Sequence, residues 1–201
     1  MMFAEEAQVA VVKTSGVRRP SRIELLAASG KTVPDVIAKD LLVLFCGINP
    51  GLYSAATGHH FARPGNRFWP ALHRSGFTPR QVRPDEEKQL LSLGFGVTNL
   101  VARATAGADE LSRDELAAGR RKLASKVKRF APRIVAILGI GAYRAGFDRP
   151  DAVLGLQSEG LSRSRVWVLP NPSGLNAHYS LDECVRLFRK LRRAAVRAPG
   201  E

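Results

Sequence analysis

Asn49 and Asn171 stand at matching places in two short phrases of the chain. Asn49 follows the apolar run Leu41-Leu42-Val43-Leu44-Phe45-Cys46-Gly47-Ile48 and leads into Pro50-Gly51-Leu52. Asn171 follows Val166-Trp167-Val168-Leu169-Pro170 and leads into Pro172-Ser173-Gly174-Leu175. A carboxamide donates and accepts hydrogen bonds but is too weak a base to take a proton outright. At the mouth of a pocket it would hold a water molecule or read a polar edge. Each apolar run is short and rich in β-branched or aromatic residues, as in a strand buried on both faces. Each breaks at Asn-Pro followed by Gly, which is turn chemistry. If the two strands lie parallel in one sheet, both turns leave its carboxyl edge, where open α/β sheets bind ligands. The plainer alternative is a pair of ordinary strand-ending turns.

Other reactive side chains are few. Phe61 sits in a loop without amphipathic period, with Trp69 close behind. Such an aromatic either anchors the loop on the core or forms a wall on which a base stacks. His59 and His60 are adjacent, which is poor geometry for two ligands of one metal, and read as loop histidines. Cys46 falls in the first apolar run and Cys184 on the apolar face of the last helix. Neither has a partner at metal-ligand spacing, so no disulfide, zinc site or iron–sulfur cluster is expected. Gly139-Ile140-Gly141 follows a strand as in a dinucleotide fingerprint, but Arg144 stands where the third Gly is required. No phosphate-binding Gly-Lys-Ser/Thr loop is present either, so no cofactor is expected.

The elements that must position these residues alternate along the chain. Strands are expected at 41–48, 95–101, 134–138 and 166–169. Residues 52–64 read as a loop. Helices are expected from Asn66 to about Gly76, from Pro84 to Gly94, from the capping box at Ser112 to Phe130, over 142–147, and from the cap at Ser180 onward. The alternation implies an α/β fold, a three-layer α/β/α sandwich around a short, mainly parallel central sheet. Residues 1–34 read as a flexible N-terminal extension with helical character around Ser21 to Ala28, 35–197 as one catalytic domain and 198–201 as a tail.

With 31 Lys and Arg against 18 Asp and Glu, the net charge is +13. Such an excess suits a polyanionic partner, nucleic acid or an anionic membrane face, though it can also serve solubility alone. No apolar run exceeds about eight residues, too short to cross a bilayer. The first sixteen residues include Glu5 and Glu6 and lack the start and cleavage site of a secretory signal, so a cytoplasmic location is expected. The last helix carries Arg186, Arg189, Lys190, Arg192 and Arg193 opposite its apolar stripe. That face is either solvated or a non-specific grip on DNA.

Taken together, the blocks Gly47-Ile48-Asn49-Pro50-Gly51-Leu52, Thr57-Gly58, Phe61-Ala62, Asn66-Arg67-Phe68-Trp69, Gly96-Val97-Thr98, Ile137-Leu138-Gly139 and 167–175 resemble the mismatch-specific uracil-DNA glycosylases, relatives of the thymine-DNA glycosylases. The resemblance spans roughly residues 35 to 195 in order and spacing. It implies a cofactor-free enzyme, acting as a monomer on double-stranded DNA, that removes uracil from G·U mismatches and often ethenocytosine as well. By resemblance, Asn49 holds the water that attacks the sugar, and Phe61 stacks on the flipped base. Asn171 stabilises the departing anion, with Ile48, Gly51 and Ser54 in the substrate pocket. Gly174, Leu175 and Asn176 form the wedge that enters the duplex.

The chain departs from the family at Tyr53, where Ser is common, and at Asn176-Ala177-His178, where an Arg often follows the wedge. Those departures bear on which pyrimidines fit and on the grip on the opposite strand. A carboxylate would stabilise positive charge growing on the sugar. Asp109, with Glu110 beside it in the loop 102–111, is the expected supplier; the alternative is that both acids only favour the start of the next helix. Two rivals to an enzyme on DNA are a mismatch-recognising DNA-binding protein without catalysis and a small-molecule nucleosidase, the latter leaving the charge unexplained.

Overall fold

The computed structural model describes residues 19–174 and 176–196. Expectations that fall on 1–18, on the wedge residue Leu175 and on 197–201 lie outside the described residues. Five strands form one sheet: β1 (Val43–Gly47), β2 (Phe95–Asn99), β3 (Ile134–Leu138), β4 (Gly155–Leu156) and β5 (Arg165–Leu169). Their order is β2-β1-β3-β5-β4, with only the β4–β5 pair antiparallel. All residues of β1, β2 and β3 are buried, as befits strands covered on both faces.

Strand alternation divides the core in two. On one face Val43 and Phe45 meet Phe68 and Leu72 of α3 (Phe68–Arg74) and Phe188 and Leu191 of α6 (Leu181–Val196). Phe45 packs edge-on to Phe68 at 5.5 Å and stacks on Phe188 at 5.9 Å. On the other face Cys46, Val135, Ile137, Val166 and Val168 meet Leu116 and Leu123 of α4 (Arg113–Phe130) and Tyr143 and Phe147 of α5 (Ile140–Phe147). The result is the expected layered α/β sandwich with a mainly parallel sheet.

Several elements differ in detail from the sequence expectation. Residues expected as loop contain a helix, α2 (Leu52–Thr57), opened at Gly51 and closed by Gly58 in the left-handed region at φ +77°. Glycine meets that conformation without a Cβ penalty, so the helix stops there. The segment Pro84–Leu93 is a 3₁₀ helix, and β2 stops at Asn99, two residues early. The two-residue β4 has no hydrophobic pattern that would announce it. Asn66 does cap α3, its Oδ1 accepting from Phe68 N at 2.9 Å, although the helix boundary falls at Arg67. Within the expected N-terminal extension, α1 (Arg22–Leu26) opens on a Ser21–Glu24 capping box. Ala28 and Val33 are buried with Ala55 and Ala104, so residues 19–34 pack on the domain.

Candidate functional site

Strands β1 and β5 flank β3 and run parallel, so both asparagine turns leave the same sheet edge two strand spacings apart, about 9–10 Å. Gly139, at the end of β3 with φ +142°, lies between them. A Cβ there would stand 2.8 Å from Ile48 Cδ1 and 3.9 Å from Asn171 Cβ. Glycine thus lets the turns close on one another, a use unrelated to the dinucleotide pattern. They face a cavity of about 340 Å³ whose walls include Ile48, Asn49, Gly51, Ser54, Phe61, Asp109, Asn171 and Asn176. Of the predicted pocket and wedge residues, Gly174 is exposed outside it. Tyr53 is not among the lining residues, whereas its neighbour Ser54 is.

The Asn49 amide is held in one orientation. Its Nδ2 donates to the carbonyl of Arg103 at 3.1 Å and to Thr105 Oγ1 at 2.6 Å. A carbonyl only accepts, which fixes nitrogen and oxygen without ambiguity. Thr105 passes its own hydrogen to Gly107 O at 2.7 Å, so its oxygen accepts from Asn49. With both amide hydrogens committed, Oδ1 is the Asn49 atom left to accept from an incoming molecule. Thr105 was not singled out from the sequence; the one signal for it is its place in the loop that leaves β2 at the same sheet edge. That loop is fastened by Arg103, which donates from Nε to Glu115 at 2.5 Å and from Nη2 to Glu110 O at 3.2 Å. The Arg103 bond, with the Ser112 backbone, draws the Glu115 carboxyl down to about 2. Because that pKa is depressed, the stabilisation is complete above the ordinary value of 4.5 and is lost only as pH falls toward about 2.

Asn171 is pinned the opposite way. Its Oδ1 accepts from Ser173 N at 3.0 Å, leaving Nδ2 to donate. The second turn is tied to the start of α3 by Arg67, whose Nη1 donates to the carbonyls of Ser173 and Asn176, each at 2.9 Å, while its backbone N donates to Pro172 O at 2.8 Å. Asn176 closes the turn with Nδ2 on Asn171 O at 2.9 Å. A Cβ on Gly174 would stand 2.6 Å from Gly65 O, so this approach requires glycine.

Phe61 lies against Phe68, ring centroids 4.1 Å apart and nearly parallel, and is half-buried on the cavity wall. It therefore anchors the loop on one side while lining the cavity. Its backbone sits at φ +53°, unusual for a bulky residue. The flanking loop over-determines that conformation. Trp69 Nε1 donates to His60 O at 3.2 Å, and the buried Glu87 accepts from His60 N at 2.8 Å. Ser54 Oγ accepts from Ala62 N at 3.1 Å. Behind the ring lies Asn99, a cavity residue not singled out from the sequence. Its signal is register: Asn99 pairs with Gly47 at the ends of two parallel strands.

Asp109 occupies a short 3₁₀ turn, Ala108–Glu110, and is exposed at the cavity wall. Its carboxylate lies over Gly107, the residue that accepts from Thr105. Glu110, by contrast, is committed to Gly107 N at 2.9 Å. The loop thus brings Asp109 into the cavity that Asn49 also lines. Burial pushes the Cys46 thiol up to about 12 and raises that of Cys184, so both are core residues without nucleophilic character. Among the described residues, no group of three His, Cys, Asp or Glu is placed to hold a metal ion, and no helix is long and apolar enough to cross a membrane.

Two of the five cations on the basic face of α6 touch the end of α3. The helix starts just after the second turn and runs back beside β5, placing Arg189 about 12 Å along its axis. Arg189 donates to Arg74 O at 3.1 Å, and Arg192 lies along Gly76. The cation at the cavity rim is instead the exposed Arg63.

Such a sheet, with a polar cavity between two turns at its carboxyl edge, defines an open α/β sandwich with its cavity where such sheets bind ligands. Residues 34–194 match the model of the uracil DNA glycosylase superfamily. The chain belongs to that superfamily, and membership supports DNA glycosylase activity. Its backbone is similar to the solution NMR structure of a candidate uracil DNA glycosylase from Methanosarcina acetivorans, with a TM-score of 0.51 at 20% identity over 81% of this chain and 98% of that one. At that identity the likeness shows the fold.

Proposed function

We propose that the chain is a monofunctional, cofactor-free DNA glycosylase that flips uracil out of G·U mismatches in double-stranded DNA and hydrolyses its N-glycosidic bond, the opening step of base excision repair. The observation that carries this reading is the opposite pinning of two amides across one cavity: Asn49 keeps an acceptor free and Asn171 a donor. The base must leave the stack, which costs a few kcal/mol and least for a mismatched one. Phe61 offers a face worth about 1–3 kcal/mol of stacking. Asn49 Oδ1 accepts a hydrogen from a water aimed at C1′. As the C1′–N1 bond breaks, Asn171 Nδ2 donates to a ring carbonyl and disperses the charge left on uracil. Water oxygen then bonds to C1′ and its proton passes to solvent. Asp109 supports the positive sugar electrostatically. Neither turn contains a lysine, which favours hydrolysis over a Schiff-base route. Gly174, Leu175 and Asn176 supply the wedge that fills the gap.

The test is base release from duplexes carrying uracil, thymine, hypoxanthine or ethenocytosine opposite guanine or adenine. Uracil opposite guanine is expected to be released fastest. Tight binding to the same duplex with no base released would favour a recognition module instead.

DNA grip is checked separately by salt dependence. Arg63→Ala is expected to lower the slope of log K against log salt by about 0.9, one phosphate contact. Replacing Arg189, Arg192 and Arg193 together is expected to leave the slope unchanged, since they lie along the helix away from the site.

A further inference from the structure

The cavity edge does not account for a net charge of +13. Arg63 is exposed at its rim, while Arg67 and Arg103 are committed to the turn and the loop that build the site. At the opposite edge of the sheet, where the strands begin, three segments meet. Asp40 N donates to Phe130 O at 2.8 Å, Arg133 N to Leu41 O at 2.8 Å, and Arg165 N to Arg133 O at 3.1 Å. These segments carry Lys39, Lys128, Arg129, Arg133, Arg163 and Arg165 against one carboxylate, Asp40. All six cations but Arg133 are exposed. A five-residue strand spans about 13 Å, so this belt faces away from the cavity.

Among the described residues, Lys39, Lys128, Arg129, Arg163 and Arg165 form no ion pair. Arg165 Nη2 rests on Ala194 O at 3.0 Å, and Arg129 lies over the Phe130 ring at 5.2 Å. Such contacts hold a guanidinium in place without neutralising it. A helix C-terminus favours cations, which accounts for Lys128 and Arg129 in the last turn of α4 but not for Lys39, Arg163 and Arg165 beside them. Like charges gathered on a folded surface repel one another, and a bound polyanion relieves that cost.

We propose that this belt is a second nucleic-acid site, which takes a separate segment of double-stranded DNA while the cavity edge holds the first. Four of the six cations are arginines, whose planar forks match phosphate oxygens in pairs. A membrane-binding helix needs an exposed apolar face beside its cations, whereas Leu116, Leu123 and Val127 of α4 are buried in the core. Superfamily membership already ties the chain to DNA. The proposal goes beyond the excision reading: two segments held at opposite edges let the protein pass from one to the other without release into solution.

The experiment mixes the full chain with two short duplexes, a donor-labelled one carrying G·U and an acceptor-labelled undamaged one, and reads energy transfer between them. The parent is expected to bring the dyes together, with transfer falling steeply between about 50 and about 200 mM salt. Excess protein should abolish it, since each duplex then has its own copy. Lys128→Gln, Arg129→Gln and Arg163→Gln combined are expected to weaken capture of the second duplex by about tenfold or more. Affinity for a single G·U duplex, and its excision, should stay at the parental values. If the triple variant does not fold, Lys39→Gln with Arg163→Gln, both in turns, is expected to show the loss. No transfer by the parent, or parental transfer by the variants, would overturn the proposal. Equal losses of transfer and of excision would place the belt on the path of one duplex and overturn it too. Phosphatidylserine vesicles that displace the second duplex at matched phosphate concentration would reassign the belt to a membrane surface. Transfer without any uracil release would overturn the excision reading and leave this proposal standing.

Discussion

Gly47→Ala is expected to lower uracil excision by about 100-fold or more while the protein still folds. Gly47 ends β1 in register with Asn99. A Cβ there would stand 2.6 Å from Asn99 Oδ1 and 3.2 Å from Phe61 Cζ. Neither neighbour can easily recede. Asn99 is held to His60, and the Phe61 ring lies against Phe68 at 4.1 Å. Relief comes by moving the amide or the ring into the cavity, where the base must lie. Misplacement of about 1 Å at a reacting site costs on the order of 10²-fold. Gly47 is not among the residues in the left-handed region, so alanine adds crowding without backbone strain, about 1–3 kcal/mol of stability. A thermal melt read beside single-turnover excision separates the two. A parental rate would mean that Asn99 and Phe61 do not bound the base site.

Asn49→Ala is expected to slow excision from a G·U duplex by about 10²–10⁴-fold, the range for a positioned group acting on a proton in the transition state. Affinity for the duplex should barely change, because the residue is placed to hold water rather than DNA. The truncation also removes the donor to Arg103 O and Thr105, so a melt must show the loop intact. Asp109→Ala is expected to cost less, its carboxylate being exposed at the wall. The double variant is expected to lose less than the product of the singles, since both act on one sugar. If Asp109→Ala keeps the parental rate, the carboxylate takes no part and Asn49 acts without it.

Both turns were legible because their chemistry is local: a buried strand, Asn-Pro, then Gly. The alternation of apolar runs with capping boxes at Ser112 and Ser180 was equally plain, so the layered architecture could be read directly. What escaped depends on register and long-range packing. Asn99 reads as an ordinary strand residue until β2 is aligned with β1 and its side chain falls over Gly47. Thr105 and Arg103 gain meaning only when their loop closes on Asn49, more than fifty residues earlier in the chain. Gly139 resembled part of a nucleotide motif, yet its conformation serves the approach of Ile48 and Asn171. The short α2 was hidden by its Gly boundaries.

The most direct test of the central claim is a single-turnover reaction of the parent protein with a G·U duplex in ¹⁸O-labelled water, with both products weighed. The account predicts free uracil, an intact strand with an alkali-labile abasic sugar, and the label on that sugar at C1′. A duplex bound but yielding no free uracil, or a strand cut through a trappable Schiff base, would contradict it.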